Sequence, residues 1–341
     1  MSDLQKIIRD EFPRKKIMIV GDLVADQFLQ GTITRVSREA PVFIMRHDQT
    51  QTLPGAAANA AVNVASLGGQ AVLVGIVGSD DNGNALLGKL EEAKVDHKHI
   101  VRAAEMRTTT KIRVLAGQEH AARKQVIRID YEPTPFLSSE IVKNIKENIL
   151  AALNGGDGID AIVISDYNYG VAAPEVIKTV NEAAREKGIP VIVDSRFRLS
   201  DFPGAASATP NQDEVEQIAG RRIADEKELA VFCAELREKL NYQALLVTRG
   251  NNGILLLEKN APAVSLEAVG SKEPIDVTGA GDTVIAAYAL GLASGLSFLD
   301  AAKVANHAGG VVVMKRRTAS VSADELVAAI KVQSQTTSAT L

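Results

Sequence analysis

The chain predicts an α/β fold: a mostly parallel sheet with helices on both faces, plus a small β lid. Three features of the 341 residues point to it. From residue 138 onward, short apolar runs alternate with helix-length amphipathic stretches, the rhythm of parallel strands joined by crossover helices. At about 28–46 and 108–130 that rhythm gives way to period-2 alternation broken by Gly31, Pro41 and Gly117, which reads as strands and turns set apart from the main sheet. Polar residues also gather just after the apolar runs, among them Asp166, Asp194, Asn211, Glu214, Thr248 and Arg249. In open α/β sheets that edge is where ligands bind. Each of them singly also fits a cap or a turn.

Composition sets the class. With 46% apolar and 23% charged residues and a net charge of −4, nothing pulls the chain in bulk toward nucleic acid or a membrane surface. There is no Trp, and Cys233 is the single cysteine, so an internal disulfide is impossible and a reducing cytoplasm is expected. The start, MSDLQKIIRDEFPRKK, lacks an apolar signal core. Its Leu4, Ile7, Ile8 and Phe12 fall at helical spacing, as on a surface helix.

In chain order, KIMIV (16–20) reads as a buried first strand, with Asp22 and Asp26 at or just past its end. PGAAANAAVNVASLGG (54–69) reads as an Ala-rich helix closed by Gly68 and Gly69. AVLVGIVG (71–78) is the next strand and 80–95 a helix. Residues 108–130 form a hairpin carrying Lys111, Arg113, Arg123, Lys124 and Arg128, either a solvated charged face or part of a lid. Helices follow at 138–153, 174–187, 206–220 (after a short strand) and 225–239, with strands at 160–166, 190–195, 242–250, 253–258 and 261–269. Ser322 and Glu325 stand at capping-box spacing before a helix at 322–332, and residues 336–341 read as a frayed tail after a single domain of 1–335.

The chemistry concentrates at IDVTGAGDTVIAAYAL (275–290). A short extended run, 273–277, meets Gly279, Ala280 and Gly281. Then come Asp282 and an apolar helix. A helix start offers unpaired N–H groups and a partial positive charge, and small residues let an anion approach closely. A carboxylate there suits base-assisted attack of a hydroxyl on phosphate. An ordinary capped helix with a glycine turn fits the same pattern. The chain has no Walker loop, no HExxH, no CxxC and no GxSxG. GAGDTV also lacks the third glycine of a dinucleotide fingerprint, Val284 standing there.

DVTGAGDT (276–283) resembles the C-terminal signature of the ribokinase-like sugar kinases, the phosphofructokinase-B family. The resemblance extends over nearly the whole chain. It takes in GDLVAD (21–26), PGAAAN (54–59), ATPNQDE (208–214) and VTRGNNG (247–253). GDLVADQFLQGTITRVSREAPV, TTKIRVLAG, SDY (165–167) and TASVSADEL look closest to the kinases acting on O1 of D-glycero-D-manno-heptose 7-phosphate, on the path to ADP-heptose for lipopolysaccharide.

The resemblance implies a ribokinase-like fold, ATP and Mg2+ as cofactors, a sugar or sugar-phosphate substrate, no nucleic-acid or membrane partner, and a homodimer in which lid strands are covered. It makes Asp282 the base and Gly279, Ala280 and Gly281 an anion hole. Asp26, Arg35, Gly55, Asn59, Lys111, Arg113 and Arg128 would bind the substrate, with Asp166, Asp194 and Arg196. Asn211, Gln212, Asp213, Glu214, Thr248, Gly250, Gly253 and Asn306 would bind the nucleotide, Glu214 reaching the metal through water. The chain departs from the pattern at Tyr169 and Arg196, where lysines are usual, and at Arg317, where glycine is usual. Two alternatives stay open: a kinase of another sugar or nucleoside, and a non-catalytic binding regulator on a kinase fold.

Overall fold

The structure, a computed structural model, describes residues 3–118, 123–133, 136–156, 158–271 and 273–338. Helix α1 (Asp3–Asp10) precedes β1 (Lys16–Gly21), which leads into β2 (Leu23–Val36) and β3 (Phe43–Ala56). Next come α2 (Ala57–Ser66), β4 (Gln70–Gly78), α3 (Asp81–Glu92), β5 (Asp96–Ala103), β6 (Thr110–Gly117) and β7 (Lys124–Tyr131). Regular alternation follows with α4 (Ser139–Asn154), β8 (Ala161–Asp166), α5 (Pro174–Lys187), β9 (Val191–Ser195), β10 (Ser207–Ala208) and α6 (Gln212–Ala219). The chain closes with α7 (Glu226–Lys239), β11 (Ala244–Thr248), β12 (Ile254–Glu258), β13 (Val264–Leu266), α8 (Ala280–Ala293), α9 (Phe298–Val312) and α10 (Ala323–Ser338).

Among the described residues, nine strands form one sheet in the order β13-β12-β11-β10-β9-β8-β1-β4-β5, parallel except where β12 runs against both neighbours. Alternation along β1 separates the two layers. Ile17 and Ile19 face a core built with α2, α8, α9 and α10, while Met18 and Val20 face one built with α4, α5 and α7. From β1 the chain moves outward to β4 and β5, then returns to β8 on the other side. The strand order therefore reverses between β1 and β8, the position where open α/β sheets leave a crevice. Gly21 ends β1 there because a Cβ would lie 2.1 Å from the Ser165 carbonyl oxygen. Asp22 then accepts the N–H groups of Tyr167, Tyr169 and Val171 at 2.8, 3.0 and 3.1 Å and fixes the loop after β8. Burial pushes its carboxyl up to about 6 against those three bonds.

A second, four-stranded sheet has the order β3-β2-β6-β7, with β2 and β6 parallel from the pair Ala25–Thr110 onward. It is the expected lid, but larger. β2 begins at Leu23 and β3 ends at Ala56, so Pro54, Gly55 and Ala56 are strand and not the first turn of the Ala-rich helix. Pairing decides this, since Gly55 and Pro54 lie opposite Val24 and Ala25. β5, DHKHIVRA, has no counterpart in the sequence reading: its polar first half hides a strand that pairs with β4 at the sheet edge. Residues 273–277 are not a strand; the N–H groups of Ile275 and Asp276 both turn to the Val313 carbonyl at the end of α9. Ser322 and Glu325 form the capping box, and α10 continues to Ser338, past the expected start of fraying at 336. Residues 339–341, and 119–122 of the hairpin loop, lie outside the described residues.

Candidate active site

Helix α8 starts on Gly279, whose φ of +78° is the left-handed conformation that glycine adopts without steric cost. A Cβ at that position would also lie 2.6 Å from Asn59 Nδ2. Thr283 is the first residue whose N–H bonds back within the helix, to the Gly279 carbonyl at 3.2 Å. Of the three small residues expected to offer N–H groups, Ala280 already donates to the Val277 carbonyl at 3.2 Å. By helical geometry, Gly281 and Asp282 have no carbonyl of their own helix to bond.

Asp282 sits in this first turn, 3% exposed. Its Oδ2 accepts from Asn59 Nδ2 at 2.7 Å and its Oδ1 from the Tyr167 hydroxyl at 3.1 Å. Burial pushes its carboxyl up to about 7; the two donors pull the other way, and the Asp26 charge adds to the rise. A carboxylate poised near neutrality is what a general base needs.

Two cavities meet at this helix start. One, of about 200 Å3, is polar and is lined by Asp194, Arg196, Asn211, Glu214 and Asp282 among others. Burial and the charges of Glu214, Asp282 and Asp166 hold the Asp194 carboxyl well above the ordinary range. Glu214 and Asn211 form a reciprocal cap on α6, both bonds 2.9 Å. Burial still pushes the Glu214 carboxyl up to about 7. Asp166 also lines this cavity but has its oxygens engaged by Ser195 Oγ at 2.7 Å and Arg198 Nη2 at 2.7 Å, so it braces the loops. Among the described residues no three acidic or histidine groups converge to hold an ion directly. Two carboxylates raised chiefly by burial, Asp194 also by the Glu214 charge, fit a hydrated cation held through water, as Mg2+ usually is.

The second cavity, of about 170 Å3, is mostly apolar, with Ile254, Val269, Val284 and Val313 in its wall and Asn306 and Gly250 at its edge. Thr248, Val277, Ala280 and Gly281 line both cavities, so the two are continuous. Gly253, at φ +75°, is required: a Cβ would meet the Leu266 carbonyl at 2.0 Å. Asn306 Nδ2 donates to the Glu267 carbonyl at 2.7 Å. Gln212 and Asp213 are not brought to either cavity: Gln212 bonds Glu216 along α6 at 3.0 Å and Asp213 is exposed.

On the lid side, Asp26 pairs with Arg113 Nη1 at 2.5 Å, both side chains largely buried. Gly55 approaches so closely that a Cβ would lie 2.6 Å from Asp26 Oδ2. Lys111 is buried, 5.4 Å from the Tyr169 ring centroid and 3.9 Å from Glu132, and its burial lowers its ammonium from the usual range. Tyr169 itself donates to Glu132 at 2.6 Å. Arg128 turns to Asp130 on its own exposed strand, at 2.8 and 2.5 Å. Arg35 stands exposed near the far end of β2, away from the Asp26 end that meets α8. Tyr167 and Asn63 were not among the expected site residues. Tyr167 lay inside the SDY motif, and Asn63 falls four residues after Asn59, on the same helix face.

A buried carboxylate raised to about 7 at a helix start, between an apolar cleft and a polar cavity, fits the transfer of an anionic group onto a hydroxyl. The pfkB family carbohydrate kinase model matches residues 14–325, and the chain belongs to that family. It is a sugar kinase with a ribokinase-like fold, and ATP is its co-substrate by family. It is 39% identical over 96% of its length to the bifunctional protein HldE of Pseudomonas entomophila, covering 66% of that protein. The figure is 38% for the bifunctional protein HldE of Citrifermentans bemidjiense, over 92% of this chain and 63% of that one. The chain thus spans less than two thirds of the length of these relatives. In three dimensions it matches Arabidopsis thaliana ribokinase complexed with ribose and ATP, with a TM-score of 0.70 at 19% identity over 93% of this chain and 98% of that one. Escherichia coli phosphofructokinase-2 in complex with potassium gives 0.74 at 19% identity, over 94% and 99%. No helix among the described residues is long and apolar enough to cross a membrane.

Proposed function

We propose that the protein transfers the γ-phosphoryl group of ATP to O1 of D-glycero-D-manno-heptose 7-phosphate, a step toward ADP-heptose for lipopolysaccharide. The observation that carries the chemistry is Asp282: buried, raised to about 7, and set at the α8 start where the two cavities join. The sugar hydroxyl gives its proton to Asp282 as its oxygen bonds the γ-phosphorus. The bond from that phosphorus to the bridging oxygen breaks, and ADP leaves. Charge on the transferred group falls at the N–H groups and positive dipole end of α8, with Gly279 and Gly281 leaving room for it. The apolar cavity takes the adenine, beside Asn306, and the phosphates run past Gly250 and Thr248. Asp194 and Glu214 would hold Mg2+ through water, and the ion would supply charge neutralisation for the transferred group. Asp26, Asn59, Lys111 and Arg113 receive the sugar.

The heptose assignment is supported by the stretches GDLVADQFLQGTITRVSREAPV and TTKIRVLAG and by relatives 38–39% identical named HldE. A neutral sugar is the second reading, favoured by Tyr169: it stands where a lysine is usual and is committed to Glu132. A panel of sugars and sugar phosphates with ATP and Mg2+ separates the two. Turnover concentrated on heptose 7-phosphate is expected; a clear preference for an unphosphorylated sugar overturns the assignment.

The protein works as a cytoplasmic homodimer joined through the lid, without nucleic acid or membrane. Edge strand β7 leaves Val126, Ile127 and Ile129 between 41% and 54% exposed, and Phe43 on β3 is 64% exposed. A monomer by light scattering overturns the dimer.

A further inference from the structure

Behind the carboxylate lies a buried polar chain of which the reaction as described uses only Asn59. Asn59, Asn63 and Thr283 are 2%, 0% and 0% exposed. Thr283 Oγ1 donates to Asn63 Oδ1 at 2.9 Å. Asn63 Nδ2 donates to the backbone carbonyl of Asn59 at 3.0 Å and to Asn59 Oδ1 at 3.2 Å. Asn59 Nδ2 donates to Asp282 Oδ2 at 2.7 Å. A side-chain amide presents a donor on one side and an acceptor on the other. The orientation of each amide here follows from the one before it. The Asn59 carbonyl only accepts, so the Asn63 amide must turn its nitrogen toward it. The Asn63 oxygen then faces Thr283, and because an amide oxygen only accepts, the Thr283 hydroxyl directs its single proton there at 2.9 Å rather than to the Gly279 carbonyl at 3.3 Å. With the Asn63 nitrogen fixed, Asn59 must offer its oxygen inward and its nitrogen to Asp282.

We propose that Asn63 and Thr283 are positioning residues for the base: they lock the Asn59 amide so that it donates to Asp282 and never presents its oxygen. A flipped Asn59 would set a carbonyl oxygen against the carboxylate at hydrogen-bond distance. The carboxyl would then keep its proton, and a protonated Asp282 accepts nothing from a sugar hydroxyl. The donors all run one way, Thr283 to Asn63 to Asn59 to Asp282, and bonds aligned in this sense polarise one another. The elements make the arrangement rigid. Asn59 and Asn63 lie one turn apart on α2, and Asp282 and Thr283 are adjacent in the first turn of α8. The other ionisable groups facing Asp282 are Tyr167 from the loop after β8, Asp26 from β2 and Asp194 from β9. The first donates, Asp26 raises the carboxyl whatever the state of Asn59, and the Asp282 charge in turn raises Asp194. The locking role rests on the reading of Asp282 as the base; the state of the carboxyl can be followed without any substrate.

The test is a titration of the Asp282 carboxyl carbon by NMR in protein labelled with [13C]aspartate, the resonance assigned by its loss in Asp282→Asn. In Asn63→Ala the midpoint rises by roughly one pH unit. Thr283→Val, which keeps shape and loses the donor, raises it by less, and Thr283→Ser restores it. An unmoved midpoint in folded Asn63→Ala overturns the lock; should that variant not fold, an unmoved midpoint in Thr283→Val does the same. In turnover, an upward shift means that Asn63→Ala loses roughly fivefold at about pH 7 and recovers most of it in alkaline buffer. A loss equal at all pH values marks a purely structural role and rejects the proposal. Full turnover by Asp282→Asn would instead remove the base itself, a different failure from an unmoved titration.

Discussion

The α8 start and the lid are two halves of one site built on opposite principles. At α8, polar groups are buried and locked by backbone geometry: Gly279 at φ +78°, Asp282 at 3% exposure, two donors on its carboxylate. In the lid, the charges are paired with one another. Asp26 pairs with Arg113, Arg128 with Asp130, and Lys111 lies near Glu132. The first half is set on consecutive residues, Gly279 to Thr283, with its two donors brought from 223 and 115 positions away, and is fixed before any ligand arrives. The second depends on strand pairings such as β2 with β6, whose partners lie far apart in the chain, and its side chains can exchange partners when a sugar enters. On the proposed reading, the contrast separates transfer chemistry, held in a rigid helix start, from substrate choice, which is distributed.

The largest effect is expected at the rigid half. Asp282→Asn should lose at least ~100-fold in kcat, the contribution of a general base, while the nucleotide KM stays put. Near-normal turnover would break the distinction at once. The same variant has a stability signature of opposite sign. The folded chain holds the Asp282 carboxyl up to about 7 against an ordinary 3.8. Between those values the unfolded chain has released the proton and the folded chain retains it, so stability falls as pH rises through that window. Asparagine removes the penalty. The variant should therefore melt higher than its parent above about pH 7 and gain nothing below about pH 4. Thermal melts across pH check this, and an unchanged difference at both ends would mean that the carboxyl is not raised.

The next effect falls in the lid. Asp26→Asn weakens the bond to Arg113, a hydrogen bond between charged groups. Sugar KM should rise roughly 10- to 100-fold, with kcat changed far less. Equal loss in kcat would place Asp26 with the transfer machinery and blur the two halves.

Legibility in the sequence follows the same division. GAGD and its helix were readable because the turn, the acid and the apolar run are consecutive. The βα alternation from residue 138 was readable because each element carries its own period. The failures lie where pairing decides. β5 hides in DHKHIVRA, and Pro54-Gly55-Ala56 read as helix until β2 claimed them. Asn63 sits four residues from a recognised residue, yet its role appears only when Thr283, 220 positions away, comes into contact.

The smallest effect tests the seam between the halves. Arg317 follows α9 and occupies φ +64°, a conformation that costs a non-glycine residue of order 1 kcal/mol. Its N–H bonds Asp276 Oδ2 at 2.8 Å, on the segment leading into α8. Its side chain reaches into the lid. The guanidinium lies 5.4 Å from the Phe28 ring centroid, as does that of Arg113, and it donates to Gln51. Glycine is usual at this position in the kinases that the chain resembles, so Arg317→Gly restores the relaxed backbone and keeps the bond to Asp276. Relief of strain and the greater freedom of glycine in the unfolded chain are of similar size, so stability should change by less than about 1 kcal/mol. The loss is the contact with the lid. A cation–π contact at such a site contributes about 0.5–1 kcal/mol, which predicts a roughly 2- to 5-fold rise in sugar KM with nucleotide KM unmoved. If sugar KM holds while kcat falls, Arg317 acts through Asp276 on the α8 start instead, and the seam belongs to the rigid half.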